Sequence, residues 1–421
     1  MSVCGEREQL GSNAVENGTI YRRPYRHPYC ARFISSKQRF CGLMAKAGHS
    51  FCVHHLPTEQ SEYIFAFCPK CKTKIASDRV DAHLRKCPVR LKEQQITNEI
   101  YFWKDINSAK ETVVDKTVSL RELSGTQLAL LLDKISQAEP KCSSYLSRRS
   151  SSSHDDGKTM HSVHVPQRTS ESEALQRVAI AEAVQKVRDV FDLSTNSALV
   201  ELCSGRAYLS AEIMKTWPFS KLLLVDRRSH RFKADRFLRH QSELRRLLID
   251  IKDLDLYKVS LLNKSEVTIV GKHLCGEATD FALKCALSYL KDSTVTFRGL
   301  AIAPCCHHAC KWSSFVNTPF LETLGFSETD FGYLIRMTSW ATTLSTGCTS
   351  HGFSSDFAIH TEDMDACRTL SSNDKLRVGR YVKLILNTAR VLWCKERGFD
   401  VSLEEYTNVW VTPENQLILV R

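Results

Sequence analysis

An α/β fold is expected for the larger, C-terminal part of this 421-residue chain, with two small metal-dependent modules ahead of it. Three observations carry that expectation. From about residue 173 onward, short apolar runs alternate with stretches of helical period, the pattern of strand–helix units on a largely parallel sheet. A turn containing glycine, Cys203-Ser204-Gly205-Arg206, joins one such run to the helix that follows. Before that region, cysteines and histidines cluster in two polar segments too short to build a core without a staple.

The first unit of the α/β part is Ala198 to Ile213: a buried strand, a tight loop and the start of a helix. Glu201 near the strand's end is placed to orient the loop or to reach a ligand. The next apolar run, Lys221–Asp226, ends in an acid, the position from which dinucleotide folds bind ribose hydroxyls. A third strand is expected over Leu247–Asp253, with Asp250 either at an adenine or holding the loop. Polar groups at successive strand ends imply a crevice at the sheet's topological switch point. The loop has neither G-x-G-x-x-G nor the phosphate cradle G-x-x-x-x-G-K-[ST]. A single glycine with acids on two strands suits S-adenosylmethionine, which has ribose hydroxyls and a sulfonium but no phosphates. The expected cofactor contacts are Glu201, Cys203, Gly205, Asp226 and Asp250.

Composition limits the alternatives. Apolar content is 43% and charged content 25%, ordinary for a globular protein, and no apolar run is long enough for a membrane span. The start, MSVCGEREQL, lacks an apolar leader, so an intracellular protein is expected. Seventeen cysteines grouped with histidines favour metal over disulfides in a reducing compartment. The net charge is +11, and between Tyr21 and Lys92 there are fifteen Lys and Arg against four Asp and Glu. Such an uneven basic charge points to a polyanionic partner.

That basic region holds both metal clusters. Cys30, Cys41, Cys52 and His55 follow C-x10-C-x10-C-x2-H, with His54 competing for the fourth place. Cys68, Cys71, His83 and Cys87 follow C-x2-C-x11-H-x3-C, the last two on an expected helix. Both suit tetrahedral zinc, whose binding supplies roughly 10–16 kcal/mol to such small modules. Tyr21, Tyr25, Tyr29, Phe33 and Phe40 interleave with arginines, for base stacking or for the small cores of the modules. Arg22, Arg23, Arg26, Arg39 and Lys86 are the expected RNA-phosphate contacts.

The domain reading is a disordered segment 1–20, metal modules at 21–60 and 61–92, and a helical connector at 93–142. A flexible, Ser-rich insertion follows at 143–172, then the α/β domain at 173–421. Helices are expected over Ser124–Ala138, Glu171–Phe191, Thr279–Leu290 and Lys383–Arg397. Strands are expected at Val267–Gly271, Gly299–Ala303 and Gln416–Val420.

Two blocks follow the fourth and fifth strands. Lys272-His273-Leu-Cys-Gly276 should face the substrate, with Lys272 and His273 as candidate general bases. A desolvated lysine loses charge readily, and an imidazole exchanges protons near neutral pH. The structural alternatives are a phosphate-binding lysine and a histidine that packs the loop. In Pro304–Cys310, neighbouring side chains seldom converge on one ion. The block is therefore read as a substrate-facing wall with His307 or His308 touching RNA, rather than as a third metal site.

Taken together, RPYRHPYC, KQRFCGLMAKAGHSFCVHH, AFCPKCKTK, AHLRKCP, LVELCSGRAYLS, LLLVDRRSHRFK, VGKHLCGEATD and IAPCCHHACKW resemble one family. These are the eukaryotic tRNA ribose 2'-O-methyltransferases acting on nucleotide 4 of the acceptor stem, and the similarity runs from about residue 25 to the end, apart from the Ser143–Ser172 insertion. The resemblance implies a CCCH-type finger, a CHHC-type finger and a Rossmann-like S-adenosylmethionine-dependent methyltransferase domain. It further implies two structural zinc ions and tRNA as partner, with glycine, proline and histidine tRNAs as substrates; no obligate protein partner is implied. Four positions depart from the family pattern. Cys203 and Ala207 stand where glycines are usual, Cys71 where the second finger has a histidine, and Val378 where an acid precedes Gly379-Arg380. The competing reading is an RNA-binding finger protein with a non-catalytic methyltransferase-like scaffold. A DNA reader is disfavoured, because the fingers lack a helix-borne His pair.

Overall fold

The computed structural model describes residues 13–16, 19–22, 29–34, 39–52, 54–56, 65–108, 118–147, 169–187, 196–228, 234–288, 290, 294–343 and 366–421. The chain divides into two compact units, Met1–Asn98 and Glu99–Arg421.

In the first unit, β1 (Asn13–Glu16) and β2 (Thr19–Arg22) pair antiparallel, with Asn13 opposite Arg22. This corrects the reading of 1–20 as disordered for the residues described. Asn17-Gly18, between the two in sequence, is a strong hairpin signal that polar composition obscured. β3 (Phe33–Ile34) and β4 (Arg39–Phe40) form a second pair, across which the Phe33 and Phe40 rings meet edge to face at 5.2 Å. Those two aromatics therefore pack the module. β5 (Phe65–Phe67) and β6 (Lys74–Ala76) precede α1 (Val80–Lys86) and α2 (Pro88–Thr97). Pro88 opens α2, where the missing N–H costs nothing.

The second unit begins earlier than the sequence suggested. Residues 99–108, read as connector, are fastened to the α/β unit. The buried Asn107 amide donates to the carbonyls of Ile251 at 2.7 Å and Leu254 at 2.8 Å. α3 (Gly125–Ser143) starts with a capping box between Ser124 and Gln127. Within the segment read as a flexible insertion, β7 (Leu146–Ser147) joins the main sheet and α4 (Thr169–Val187) begins. Residues 148–168 lie outside the described ones.

Alternation then proceeds through β8 (Ser197–Leu202), α5 (Tyr208–Thr216), β9 (Lys221–Val225), α6 (Asp235–Leu238) and β10 (Glu243–Leu247). It continues with β11 (Glu266–Cys275), α7 (Glu277–Leu287) and β12 (Thr296–Cys305). Helices α8 (Thr318–Thr323), α9 (Glu328–Thr343) and α10 (Ser372–Lys395) precede the last strands, β13 (Val401–Glu405) and β14 (Gln416–Val420). The eight-stranded order is β10-β9-β8-β11-β12-β14-β13-β7. The first five strands are mutually parallel, and β14 runs antiparallel to both β12 and β13.

Every residue of β8 is buried, as expected of a central parallel strand covered on both faces. Ile180 and Val184 of α4 and Leu209 and Ile213 of α5 pack with Leu199, Leu222 and Val270 of the sheet. The third strand is displaced from its expected place: β10 ends at Leu247, and Asp250 instead caps a short 3-10 turn, Ile251–Asp253. β10 is an edge strand, so the charged run Glu243-Leu-Arg-Arg forms it, a pattern that apolar periodicity overlooks.

Candidate active site and metal centres

Strand order reverses direction between β8 and β11, and a cavity of about 470 Å³ opens at that point. Glu201, Cys203, Gly205, Lys272 and His273 line it, together with Glu173, Arg177, Arg206 and Tyr208. Asp226 and Asp250 are not among the lining residues.

The loop after β8 is built from three left-handed residues. Cys203, Gly205 and Ala207 have φ of 55°, 48° and 59°. Only glycine adopts that region freely, so Cys203 and Ala207 carry backbone strain there. Ala207 offers no side-chain cap to α5. Glu201 supplies it: one carboxylate oxygen accepts from the Ser210 backbone N–H at 3.0 Å and from the Ser210 hydroxyl. Burial pushes the Glu201 carboxyl up to about 7, against the hydrogen bonds from Ser210. Burial also pushes the Cys203 thiol up to about 12, with Asp226 adding to it, so this thiol stays protonated and is no nucleophile.

Asp226 braces the loop. Its Oδ2 accepts from Gly205 N–H and its Oδ1 from Arg228 N–H, both at 2.8 Å. Arg246 of β10 donates to Ser204 Oγ at 2.9 Å and to the Gly205 carbonyl at 3.1 Å. It is fixed in turn by a buried two-pronged pair with Asp235. Asp250 accepts from Lys252 N–H and lies 3.8 Å from Arg227.

Lys272 and His273 lie within β11 and not in a loop beyond it. The pairing with β12 skips a residue between Lys272 and Leu274, leaving His273 as a bulge with φ of 66°. A regular strand would send the two side chains to opposite faces; a bulge re-aims one of them. Lys272 Nζ lies 2.5 Å and His273 Nε2 3.4 Å from the same oxygen of Glu173. The His273 hydrogen bond holds the Glu173 carboxyl down to about 2, with Lys272 reinforcing it. Burial pulls the Lys272 ammonium below its ordinary value, and Glu173 opposes that pull. The Lys272 side chain is 6% exposed and that of His273 57%.

In the first unit, Cys30, Cys41, Cys52 and His55 bring their ligand atoms within 4.8 Å of one another, with His55 Nδ1 3.4 Å from both Cys30 and Cys52 sulfurs. His54 is exposed and outside the cluster.

Against this geometry, the family model for methyltransferase TRM13 matches residues 175–421, and the model for the CCCH zinc finger in TRM13 protein matches residues 28–56. The chain belongs to the TRM13 methyltransferase family. A mouse relative, named tRNA:m(4)X modification enzyme TRM13 homolog, is 27% identical over 465 residues, covering 92% of this chain and 93% of its own. The human counterpart is 26% identical over 457 residues, with 92% and 93% covered. The TRM13 of Kluyveromyces lactis is 27% identical over 444 residues, with 93% and 94% covered.

The first cluster of this TRM13 chain is thus a CCCH zinc finger, closed by three thiolates and one imidazole. The second set, Cys68, Cys71, His83 and Cys87, also lies within 4.8 Å, with Cys68 and Cys87 sulfurs 3.8 Å apart and Cys71 3.3 Å from His83 Nε2. Of the basic residues expected to meet RNA, Arg39 and Lys86 are exposed, Arg22 lies in β2, and Arg23 and Arg26 lie outside the described residues.

His307 corrects an expectation. It is 2% exposed, its Nε2 3.1 Å from Asn387 Oδ1 and its Nδ1 3.4 Å from Glu414. Packing against Asn387 of α10 leaves it almost no exposed surface, whereas His308 is exposed. Glu173, Arg177, Arg246 and Asp235 were missed in the sequence because they act from α4, β10 and α6, elements distant from the glycine loop in the chain. The one available signal was the Glu171–Glu173 pair opening an amphipathic helix just before the glycine loop.

Proposed function

We propose that this chain is an S-adenosylmethionine-dependent tRNA methyltransferase that methylates the ribose 2'-hydroxyl of nucleotide 4 in the acceptor stem. The observation that carries the reading is the convergence of Lys272 and His273 on Glu173 at the wall of the switch-point cavity. The relatives' names supply the substrate class, and glycine, proline and histidine tRNAs are the expected members of it. Such a substrate assigns the reaction to the cytoplasm or nucleus.

The cavity fits the cofactor. Its volume falls within the range of about 300–1,000 Å³ usual for small-molecule sites. Its glycine loop presents no phosphate cradle, and acids stand at the ends of β8 and β9. S-adenosylmethionine when bound supplies an electrophilic methyl group. Cys203, Gly205 and Glu201, which line the cavity, would hold it, and Asp226 keeps their loop in shape.

His273 is assigned as general base. Its ring is exposed to an incoming hydroxyl while Glu173 orients it, the arrangement by which a carboxylate fixes a catalytic imidazole. His273 would take the 2'-OH proton, and the bound cofactor would supply the methyl group, its carbon–sulfur bond breaking as the new carbon–oxygen bond forms and the thioether leaving. Lys272 is buried and held by Glu173, so it positions that carboxylate. Alignment of acceptor and donor is the larger contribution, since good orientation is worth roughly 7–11 kcal/mol.

The second cluster is assigned as a second structural zinc finger, its Cys71 replacing an imidazole by a thiolate. An A-form stem exposes its 2'-hydroxyls in a shallow minor groove, which suits recognition by basic fingers through shape and phosphates.

The test is methyl transfer from labelled S-adenosylmethionine to bulk tRNA, with the product mapped by nucleotide. A 2'-O-methyl group at position 4, absent with His273→Ala, is expected. No transfer together with no cofactor binding by calorimetry would leave an RNA-binding scaffold in its place.

A further inference from the structure

We propose that Cys275, Cys305 and Cys306 form a third metal site, a three-thiolate zinc centre whose fourth position is open to water or to a substrate oxygen. The three sulfurs lie within 4.8 Å of one another at the C-terminal ends of β11 and β12. No fourth His, Cys, Asp or Glu among the described residues joins them.

Two features of the backbone bring them together. Cys275 and Cys305 are register partners on adjacent parallel strands, and the Gly276 N–H donates to the Cys305 carbonyl at 3.0 Å. Neighbouring cysteines in an extended strand would face opposite ways. Here Cys305 ends β12, and Cys306 takes the left-handed conformation, φ 51° and ψ 44°, which turns its sulfur back to the side of Cys305. A non-glycine residue in that region is uncommon. The two blocks are pressed together as well. A Cβ on Gly276, at φ 58°, would lie 2.4 Å from the Ala309 carbonyl oxygen. The objection that adjacent cysteines cannot share an ion is met by this turn.

The spacing is that of thiolates around zinc. Tetrahedral Zn–S bonds of about 2.3 Å place two sulfurs about 3.8 Å apart. Cys275 and Cys305 are 3.7 Å apart, and Cys68 and Cys87 in the second finger-like cluster are 3.8 Å apart. The soft thiolate set selects zinc over magnesium or calcium. Three protein ligands with an open fourth position are the pattern of reactive rather than purely structural zinc. Cys275 is exposed, so that position is reachable. The site also ties together the ends of the strand that carries Lys272 and His273 and of its neighbour.

The inference does not depend on the tRNA reading. Full-length protein and the Cys275→Ser/Cys306→Ser variant would be purified in parallel, and zinc per chain measured by plasma mass spectrometry. The variant is expected to hold one equivalent fewer, whatever the fingers retain. Cobalt exchange of both proteins should give a difference spectrum with the intense visible bands of a tetrahedral thiolate site. The single exposed change Cys275→Ser, with circular dichroism matching the parent, guards against a folding defect. Equal zinc content with a featureless cobalt difference spectrum would overturn the proposal. So would a Cys275–Cys305 disulfide found by mass spectrometry of the non-reduced parent.

Discussion

Lys272 and His273 are sequence neighbours on one strand, yet both point to the same carboxylate oxygen of Glu173, at 2.5 and 3.4 Å. The bulge at His273 makes this possible, because it breaks the two-residue alternation of β11 at the rim of the cavity. Glu173 comes from α4, almost a hundred residues earlier in the chain.

That relationship separates the roles of the three residues. His273→Ala should lower kcat by about 10²–10⁴-fold, the usual worth of a general base, and leave cofactor affinity nearly unchanged. Glu173→Gln should lower kcat less, because the imidazole loses the carboxylate that orients it. Single-turnover transfer rates would check both. Equal activity of His273→Ala and the parent would remove His273 as base.

Glu201 imposes a pH dependence on stability. Its folded value, about 7, lies above that of a free carboxyl, so folding favours the protonated form. The contribution is complete below about pH 4 and is lost as pH rises through 7, amounting to about 3 kcal/mol. Glu201→Gln keeps a neutral group there. The stability of the variant, from urea unfolding between pH 5 and 8, should fall by about 2.5 kcal/mol less than that of the parent. Parallel curves for the two proteins would contradict this account.

The two left-handed non-glycine residues of the loop, Cys203 and Ala207, should respond differently to glycine. Left-handed backbone costs an L-residue roughly 1–2 kcal/mol. Ala207 is fully buried, so Ala207→Gly recovers that strain but loses a buried methyl worth about 0.8 kcal/mol, leaving little net change. Cys203 lines the cavity and is only partly buried, so Cys203→Gly should stabilise by about 1 kcal/mol. It should also tighten S-adenosylmethionine binding by calorimetry, since its Cβ and sulfur no longer narrow the site. Weaker binding by Cys203→Gly would show that the thiol contacts the cofactor favourably.

Besides the Arg246–Asp235 pair, a second buried ion pair ties α7 to α10. Asp280 of α7 accepts from Arg390 of α10 at 3.1 and 2.7 Å, and both side chains are 1% exposed. Arg390 also donates to Asn387 and lies over the Phe315 ring. Asp280→Asn would leave the guanidinium charge buried without its counter-ion. A loss of about 3–5 kcal/mol in urea unfolding is expected. A loss under 1 kcal/mol would mean that Asn387 and the ring suffice.

Much of this protein follows from local sequence. The spacing of Cys30, Cys41, Cys52 and His55 set out the first metal centre, because a tetrahedral ion demands four ligands at short reach. The apolar runs at 198–202, 221–225 and 267–271 marked three central strands, because a parallel sheet buried on both faces needs such runs. Gly205 between a strand and a helix marked the cavity. Tertiary structure decided what adjacency in sequence could not express. It chose His55 over His54, brought Glu173 to Lys272 and His273, and set Arg246 against the glycine loop. It withdrew His307 beneath α10 and gathered Cys275, Cys305 and Cys306 into one cluster. Each of these depends on a strand pairing, a bulge or a left-handed residue that sets where a side chain points. Periodicity reports which face is apolar; it does not report which distant residue that face will meet.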